Sequence, residues 1–373
     1  MKVYLDYNAT TPTREEVASY MKEYISTGNP SSIHWSGREA RTLIDDARDS
    51  ISKILRCTPY QIIFTSCGTE SNNLAIKGLA FKKEKGHIIS TKVEHPSVLN
   101  TLRFLERYGF SVTYIGVDRY GMPDVDEIKK NIRRDTFLIT VMFVNNETGN
   151  IFPVNEIRKI AKENGIIFHT DAVQALGKLE LNLTNLADMV SFSFHKIYGP
   201  KGVGLLFVND GVVLEPILHG GYQEEGLRGG TQNVTGIVGA AKALELIEKE
   251  REDIMKRITK LRDMFERAVL SEIPGTFING HIENRVPSTS NIGFEGIDSE
   301  TMLIALDIEG IAASSGSACS TGSIEPSHVL IAMGLGEDKA KSSIRFSFGK
   351  YTTEEEIIYT IKTLKKVTER LRK

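Results

Sequence analysis

The chain has 373 residues, with 46 Lys+Arg against 48 Asp+Glu, a formal net charge of −2, 40% hydrophobic residues and 32 Gly; that suits two domains, or one large α/β domain with a smaller companion. The balanced charge, with no Lys/Arg block, excludes a protein built mainly to bind nucleic acid; apolar runs of only strand length, such as residues 137–144, and an acid at position 6 speak against a membrane and for the cytosol. Three Cys, at 57, 67 and 319, with no CxxC pair, exclude a disulfide framework and a zinc site, so a functional Cys here acts as a single thiol.

Between residues 60 and 210 one pattern repeats: a short apolar run ends in a polar or Gly-containing turn, and an amphipathic stretch usually follows. Ile62-Ile63-Phe64-Thr65 leads into Ser66-Cys67-Gly68-Thr69-Glu70 and a helix to residue 83; residues 87–91 lead to Glu94-His95-Pro96 and a helix to residue 108. The run 110–117 precedes a helix around 124–133, and 137–144 ends at Asn145-Asn146-Glu147-Thr148-Gly149 before a helix over 153–164. Ile166-Ile167-Phe168 ends at His169-Thr170-Asp171, and 189–194 ends at His195-Lys196. Strands alternating with helices predict a mostly parallel sheet covered on both faces. Beyond residue 210, a Gly-rich stretch over 219–231 precedes a long helix over 234–270, charged on one side. After Pro274, apolar runs at 290–294, 310–313 and 343–348 alternate with helices near 299–307, 327–333 and 353–371, which predicts a smaller α+β domain.

Sheets of this kind bind ligands at the carboxyl ends of their strands. There the sequence sets Gly68-Thr69 opening a helix, His95, Asn145, Asp171 with Gln174 three residues on, and Ser193-x-His195-Lys196. Free N–H groups at Gly68 and Thr69, at the positive end of a helix, favour a phosphate. No GxxxxGK[ST] is present, and the glycines of 199–204 follow a Lys and precede a strand, the wrong setting for a dinucleotide turn. Singly, each feature has a plain reading: a capped helix start, a solvated Lys196, Asp171 as a helix cap, His95 as a satisfied histidine. A desolvated Lys can also form a Schiff base with a carbonyl. An Asp facing a pyridinium nitrogen keeps the ring protonated, and a His can stack on that ring or move protons. Together these are the parts of a pyridoxal phosphate site.

On those residues the chain resembles the cysteine desulfurases, of the pyridoxal-phosphate aminotransferase class V superfamily, over nearly its whole length. The matching segments include Asp6-Tyr7-Asn8-Ala9-Thr10-Thr11-Pro12, Gly28-Asn29-Pro30-Ser31-Ser32-Ile33-His34, Thr65-Ser66-Cys67-Gly68-Thr69-Glu70-Ser71, Asn145-Asn146-Glu147-Thr148-Gly149, Asp171-Ala172-Val173-Gln174, Ser193-Phe194-His195-Lys196-Ile197-Tyr198-Gly199-Pro200, Arg228-Gly229-Gly230-Thr231-Gln232-Asn233 and Ser314-Ser315-Gly316-Ser317-Ala318-Cys319. Their order and spacing carry the likeness.

The resemblance implies a fold type I homodimer. Its large domain, residues 13–250, holds the mostly parallel sheet and the cofactor; a small domain of residues 1–12 and 251–373 carries the Cys loop at 314–326. It implies that Lys196 forms the Schiff base with pyridoxal 5'-phosphate, Asp171 pairs with the ring nitrogen and Gln174 bonds the ring hydroxyl. Thr69, Ser193 and His195 would hold the phosphate with Gly68 backbone, while Thr231 would reach the neighbouring subunit's cofactor. His95 would stack and move protons, and Asn145 and Arg345 would hold the substrate carboxylate, a task that suits an Arg fork.

Cys319 stands among Ser, Gly and Ala in a segment without apolar periodicity, which reads as a loop. By itself it fits an exposed reactive thiol or a small buried residue equally well; the resemblance makes it the nucleophile that takes sulfur from L-cysteine, leaves L-alanine and carries a persulfide. The Ser-Ser-Gly-Ser-Ala-Cys setting resembles the group that hands sulfur to protein acceptors, such as an iron–sulfur scaffold, with tRNA thiolation as a further destination. No resident metal is implied, only transient cluster ligation by Cys319. The alternatives are a selenocysteine lyase or related β-eliminase that does not need Cys319, and a non-catalytic scaffold that keeps the fold alone. Cys67 departs from the small residue common at its place in the phosphate turn, and Cys57 reads as structural.

Overall fold

The structure, a computed structural model, describes residues 1–315 and 325–372. Along the chain, β1 (Val3–Tyr4) is followed by α1 (Glu15–Lys22) and α2 (Trp35–Leu55), then β2 (Ile62–Thr65), α3 (Gly68–Lys83), β3 (His87–Thr91), α4 (Pro96–Glu106), β4 (Ser111–Ile115) and α5 (Val125–Lys130). Next come β5 (Thr136–Thr140), α6 (Val154–Glu163), β6 (Ile167–Asp171), α7 (Leu183–Leu186), β7 (Met189–Ser193), β8 (Gly204–Val208) and the 39-residue α8 (Val234–Glu272). The remainder is β9 (Thr276–Asn279), β10 (Thr289–Phe294), α9 (Ser299–Ile308), β11 (Ile311–Ala312), α10 (His328–Ala332), α11 (Glu337–Lys341), β12 (Ser343–Ser347) and α12 (Glu354–Leu371).

Seven strands form one sheet in the order β2-β8-β7-β6-β5-β3-β4. The pairs β3–β4, β3–β5, β5–β6 and β6–β7 are parallel, and only β8 runs against its neighbours β2 and β7. The two-residue period of a strand explains why both faces are covered. Ile63, Ile88, Leu138, Met189 and Leu206 pack into one core with Leu74, Leu79, Val98 and Leu102 of α3 and α4. Their sequence neighbours Phe64, Ile89, Ile139, Val190 and Leu205 pack into the other, with Ile44, Ile51, Ile157 and Leu244 of α2, α6 and α8.

A second, antiparallel sheet has the order β12-β10-β9, and β1 pairs in parallel with β11. The helix α8 serves both sheets: Ile237, Leu244 and Ile247 lie in its first half, and Ile258, Leu261 and Phe265 in its second, all within one continuous core. The N-terminal segment then crosses between sheets. Asp6 bridges Ser347 at the end of β12, and both the backbone N and the hydroxyl of Thr11 donate to the His195 carbonyl beyond β7. Among the described residues no helix is long and apolar enough to cross a membrane.

Candidate active site

Because β2, β3, β5, β6 and β7 run in the same direction, the turns after them meet at one edge of the large sheet. A cavity of about 350 Å³ opens there, closed on its other side by the N-terminal segment and by β12. Of the residues expected from the sequence, Gly68, Thr69, His95, Asp171, Gln174, Ser193, His195, Lys196 and Arg345 all line it.

At one end lies the start of α3. A Cβ on Gly68 would meet Val173 Cγ2 at 2.8 Å, so the helix begins this close to the β6 and β7 ends because the residue lacks a side chain. Beside it, Ser193 Oγ is buried without a hydrogen-bond partner among the described residues. A buried hydroxyl left unpaired is costly, and here it lies in a cavity wall next to a helix N-terminus, where an anion would satisfy it. His195 Nδ1 lies 3.0 Å from Thr10 Oγ1; burial, with Lys196 and Lys201 nearby, pulls its pKa down to about 4, so the ring is neutral.

Lys196 sits in the turn after β7. Its Nζ donates to the carbonyl oxygens of Asn8 (2.5 Å) and Ala9 (2.7 Å), and desolvation, then Arg345, lowers its pKa to about 8 against the pull of Asp6 and Asp171. Asp171 ends β6, where Oδ2 accepts from Asn72 Nδ2 at 2.7 Å and Oδ1 from the Val173 N–H at 3.0 Å. Asn72 also donates to Ser97 Oγ, which lies 2.8 Å from His95 Nδ1. The Ser97 N–H donates to that same Nδ1, which puts the proton of the neutral ring on Nε2. His95 thus caps α4 and also forms a wall of the cavity. Desolvation lowers its pKa and favours the neutral ring; Asp171 opposes this.

Arg345, on β12, donates from Nη2 to Asp6 Oδ1 at 2.7 Å and from Nη1 to the Asn146 carbonyl at 3.1 Å. Asn145 is buried in the turn just before Asn146. Its side chain does not line the cavity: Oδ1 accepts from the N–H groups of Glu147 and Thr148, and Nδ2 donates to the Val93 carbonyl. Tight turns consume the nearest acceptor, so Asn145 shapes the turn that presents Asn146. Thr231 is exposed and lies on a separate cavity of about 110 Å³ with Arg228 and Gln232. Cys319 lies outside the described residues. Cys67 lines the main cavity at the N-cap of α3. Burial pushes the Cys57 thiol up to about 12, and the residue packs against the core.

Sequence reasoning missed Asn8, Asn72 and Lys178, which tie these groups together. Asn8 is buried, and its carbonyl accepts from both Gln174 Nε2 and Lys196 Nζ. The signal for Asn8 was the N-terminal motif itself; Asn72 and Lys178 carry none beyond being polar.

Residues 3–359 match the family described as aminotransferase class-V. The chain is 50% identical over 376 residues to the protein named cysteine desulfurase IscS of Dictyoglomus turgidum, covering 100% of this chain and 95% of that one. The solved structure of a NifS-like protein superposes with a TM-score of 0.92 at 40% identity, covering 100% of both chains. A structure of SspA in complex with cysteine does so with a TM-score of 0.84 at 39% identity, over 94% of this chain and 100% of that one.

Proposed function

The chain belongs to the aminotransferase class-V family and is a pyridoxal-phosphate-dependent cysteine desulfurase; we propose that it carries the sulfur of L-cysteine as a persulfide on Cys319 and passes it to acceptor proteins of iron–sulfur cluster assembly, with tRNA thiolation as a second destination. The observation that carries this reading is Lys196: an amine with a pKa of about 8 at the end of β7, in the same cavity as the Asp171 carboxylate and an unpaired buried Ser193 hydroxyl.

The residues present fit the cofactor. The free N–H groups at the start of α3, the Ser193 hydroxyl, Thr69 and neutral His195 would hold the phosphate, Asp171 the ring nitrogen, Gln174 the ring oxygen, and His95 the ring face. When bound, pyridoxal phosphate supplies an aldehyde for an amine and an electron-withdrawing ring beside the substrate carbon. Lys196, partly neutral near pH 7, is the amine that holds the cofactor and, once released, a base of suitable pKa. His95 can take or return a proton, its orientation fixed by Ser97 and, through Asn72, by Asp171. Arg345 binds the substrate carboxylate, held ready by Asp6 and the Asn146 carbonyl. The Cys319 thiolate then attacks the substrate sulfur: an S–S bond forms, the C–S bond breaks, and L-cysteine plus one thiol become L-alanine plus one persulfide.

The same reading includes a homodimer in the cytosol, with Thr231 reaching the partner's cofactor phosphate, and the division into residues 13–250 and residues 1–12 with 251–373. Support comes from the exposed position of Thr231 and from two separate sheets at 62–208 and 276–347. Incubation with L-cysteine followed by mass measurement tests it. One sulfur atom is expected on Cys319, with alanine formed in step, and Cys319→Ser should abolish both the adduct and steady turnover. Undiminished sulfide release by Cys319→Ser in the presence of a reductant would overturn the persulfide and favour a β-eliminase.

A further inference from the structure

Lys178 follows Gly177 in the segment after β6. Gly177 has φ +70°, and a Cβ there would meet Ile197 Cγ2 at 2.8 Å and Ile247 Cγ1 at 2.9 Å. The chain makes this turn only without a side chain, and the turn delivers the next residue against Gln174. Lys178 Nζ lies 2.6 Å from Gln174 Oε1 and 3.3 Å from Asn8 Oδ1, while Gln174 Nε2 donates to the Asn8 carbonyl at 2.9 Å.

We propose that Lys178 is a positioning residue that fixes which end of the Gln174 amide faces the cavity, so that Gln174 offers the bound cofactor a hydrogen-bond donor and not an acceptor. The proposal rests on the cofactor assignment above. Turning the amide over would set Oε1 against the Asn8 carbonyl oxygen and the Gln174 NH₂ group against the amine, replacing two hydrogen bonds by two repulsive contacts. Oε1 is taken by Lys178 and one Nε2 proton by Asn8, which leaves the second Nε2 proton as the group Gln174 presents in the cavity it lines. A ligand atom at that place must accept, which a ring oxygen does in either protonation state and most strongly when ionised.

Burial, with Lys196 and Arg345 nearby, pulls Lys178 down to about 7. The arrangement survives loss of that proton, because a neutral amine still has N–H groups to donate to Oε1.

The test compares equilibrium binding of two ligands to the full apo chain: pyridoxal phosphate, and its 3-deoxy analogue, which lacks the ring hydroxyl. Lys178→Met should weaken pyridoxal phosphate about tenfold, the scale of one hydrogen bond, and leave the affinity for the analogue unchanged. Lys178→Arg, which keeps a donor, should restore most of the difference. Equal losses for both ligands would make Lys178 merely structural and overturn the proposal, as would no loss for either. If Lys178→Met does not fold, Lys178→Ala is read in the same way. A wild-type chain that binds neither ligand would overturn the cofactor assignment as well, an outcome distinct from the others.

Discussion

Arg345 Nη2 stands 2.7 Å from Asp6 Oδ1, a pairing of β12 with the N-terminal segment across 339 residues of sequence. It orients the guanidinium but leaves Nε buried and without a partner among the described residues, in a residue that lines the cavity. An unpaired buried N–H beside a charged fork is a place for a carboxylate. Arg345→Lys replaces the fork by a point charge already drawn to Asp6, so KM for L-cysteine should rise roughly ten- to a hundredfold, the scale of hydrogen bonds to charged groups. Steady-state kinetics would show this, with a smaller change in kcat; an unaltered KM would remove Arg345 from substrate binding.

Ser193 makes the opposite kind of prediction, because its hydroxyl contributes nothing to the protein alone. With Oγ buried and unpaired, Ser193→Ala should leave the apo protein as stable as before or slightly more so. Pyridoxal phosphate should bind about tenfold more weakly to the variant, the scale of one lost hydrogen bond. Thermal melts of apo protein and a cofactor titration separate the two effects. Destabilised apo protein would mean that the hydroxyl already has a partner.

The principal groups of the site were legible in the sequence because a parallel sheet leaves them no other place: Asp171, His95 and Lys196 each follow an apolar run, and the ends of those runs must meet. The polar links between them were not legible. Asn72 looks like any polar residue inside a helix, and its partner Asp171 is 99 residues away. Lys178 looks like a surface lysine until Asn8, 170 residues earlier, is folded against it. Asn145 shows the converse: a strand-end amide can face a ligand or close its own turn, and only the folded backbone places the Glu147 and Thr148 N–H groups against its oxygen. The first 60 residues, with no strand–turn–helix repeat, hid α1 and α2, whose apolar faces are completed by α8.

Capture of the cofactor by Lys196 should carry the mark of its surroundings. The reactive form is the free amine, which accumulates as pH rises through the group's pKa. With that pKa lowered from 10.5 to about 8, the rate of reconstitution of apo protein with pyridoxal phosphate should climb through a midpoint near pH 8. Arg345 is the largest charge depressing it, so Arg345→Met should move the midpoint to higher pH. Lys196→Ala should show no covalent capture at any pH. A wild-type midpoint near 10 would mean that the amine is solvated.

Glu94 offers a test that does not involve the cofactor. Its carboxyl is fully buried, next in sequence to His95; burial, with Asp171 adding, raises its pKa to about 8 against the hydrogen bonds from Thr91 and the Met142 N–H. An acid raised in the folded state contributes stability that is fully present below its unfolded value of 4.5 and is lost as pH rises through about 8, because the native state must keep or surrender a proton that the unfolded chain has already released. Glu94→Gln has no proton to lose. Lys178 and Lys196, whose lowered pKa values act with the opposite sign, titrate in both proteins and drop out of the difference. Urea unfolding of apo protein at pH 5, 6.5 and 8.5 should therefore show the variant gaining on the wild type with each step; a constant difference would mean that Glu94 is ionised throughout.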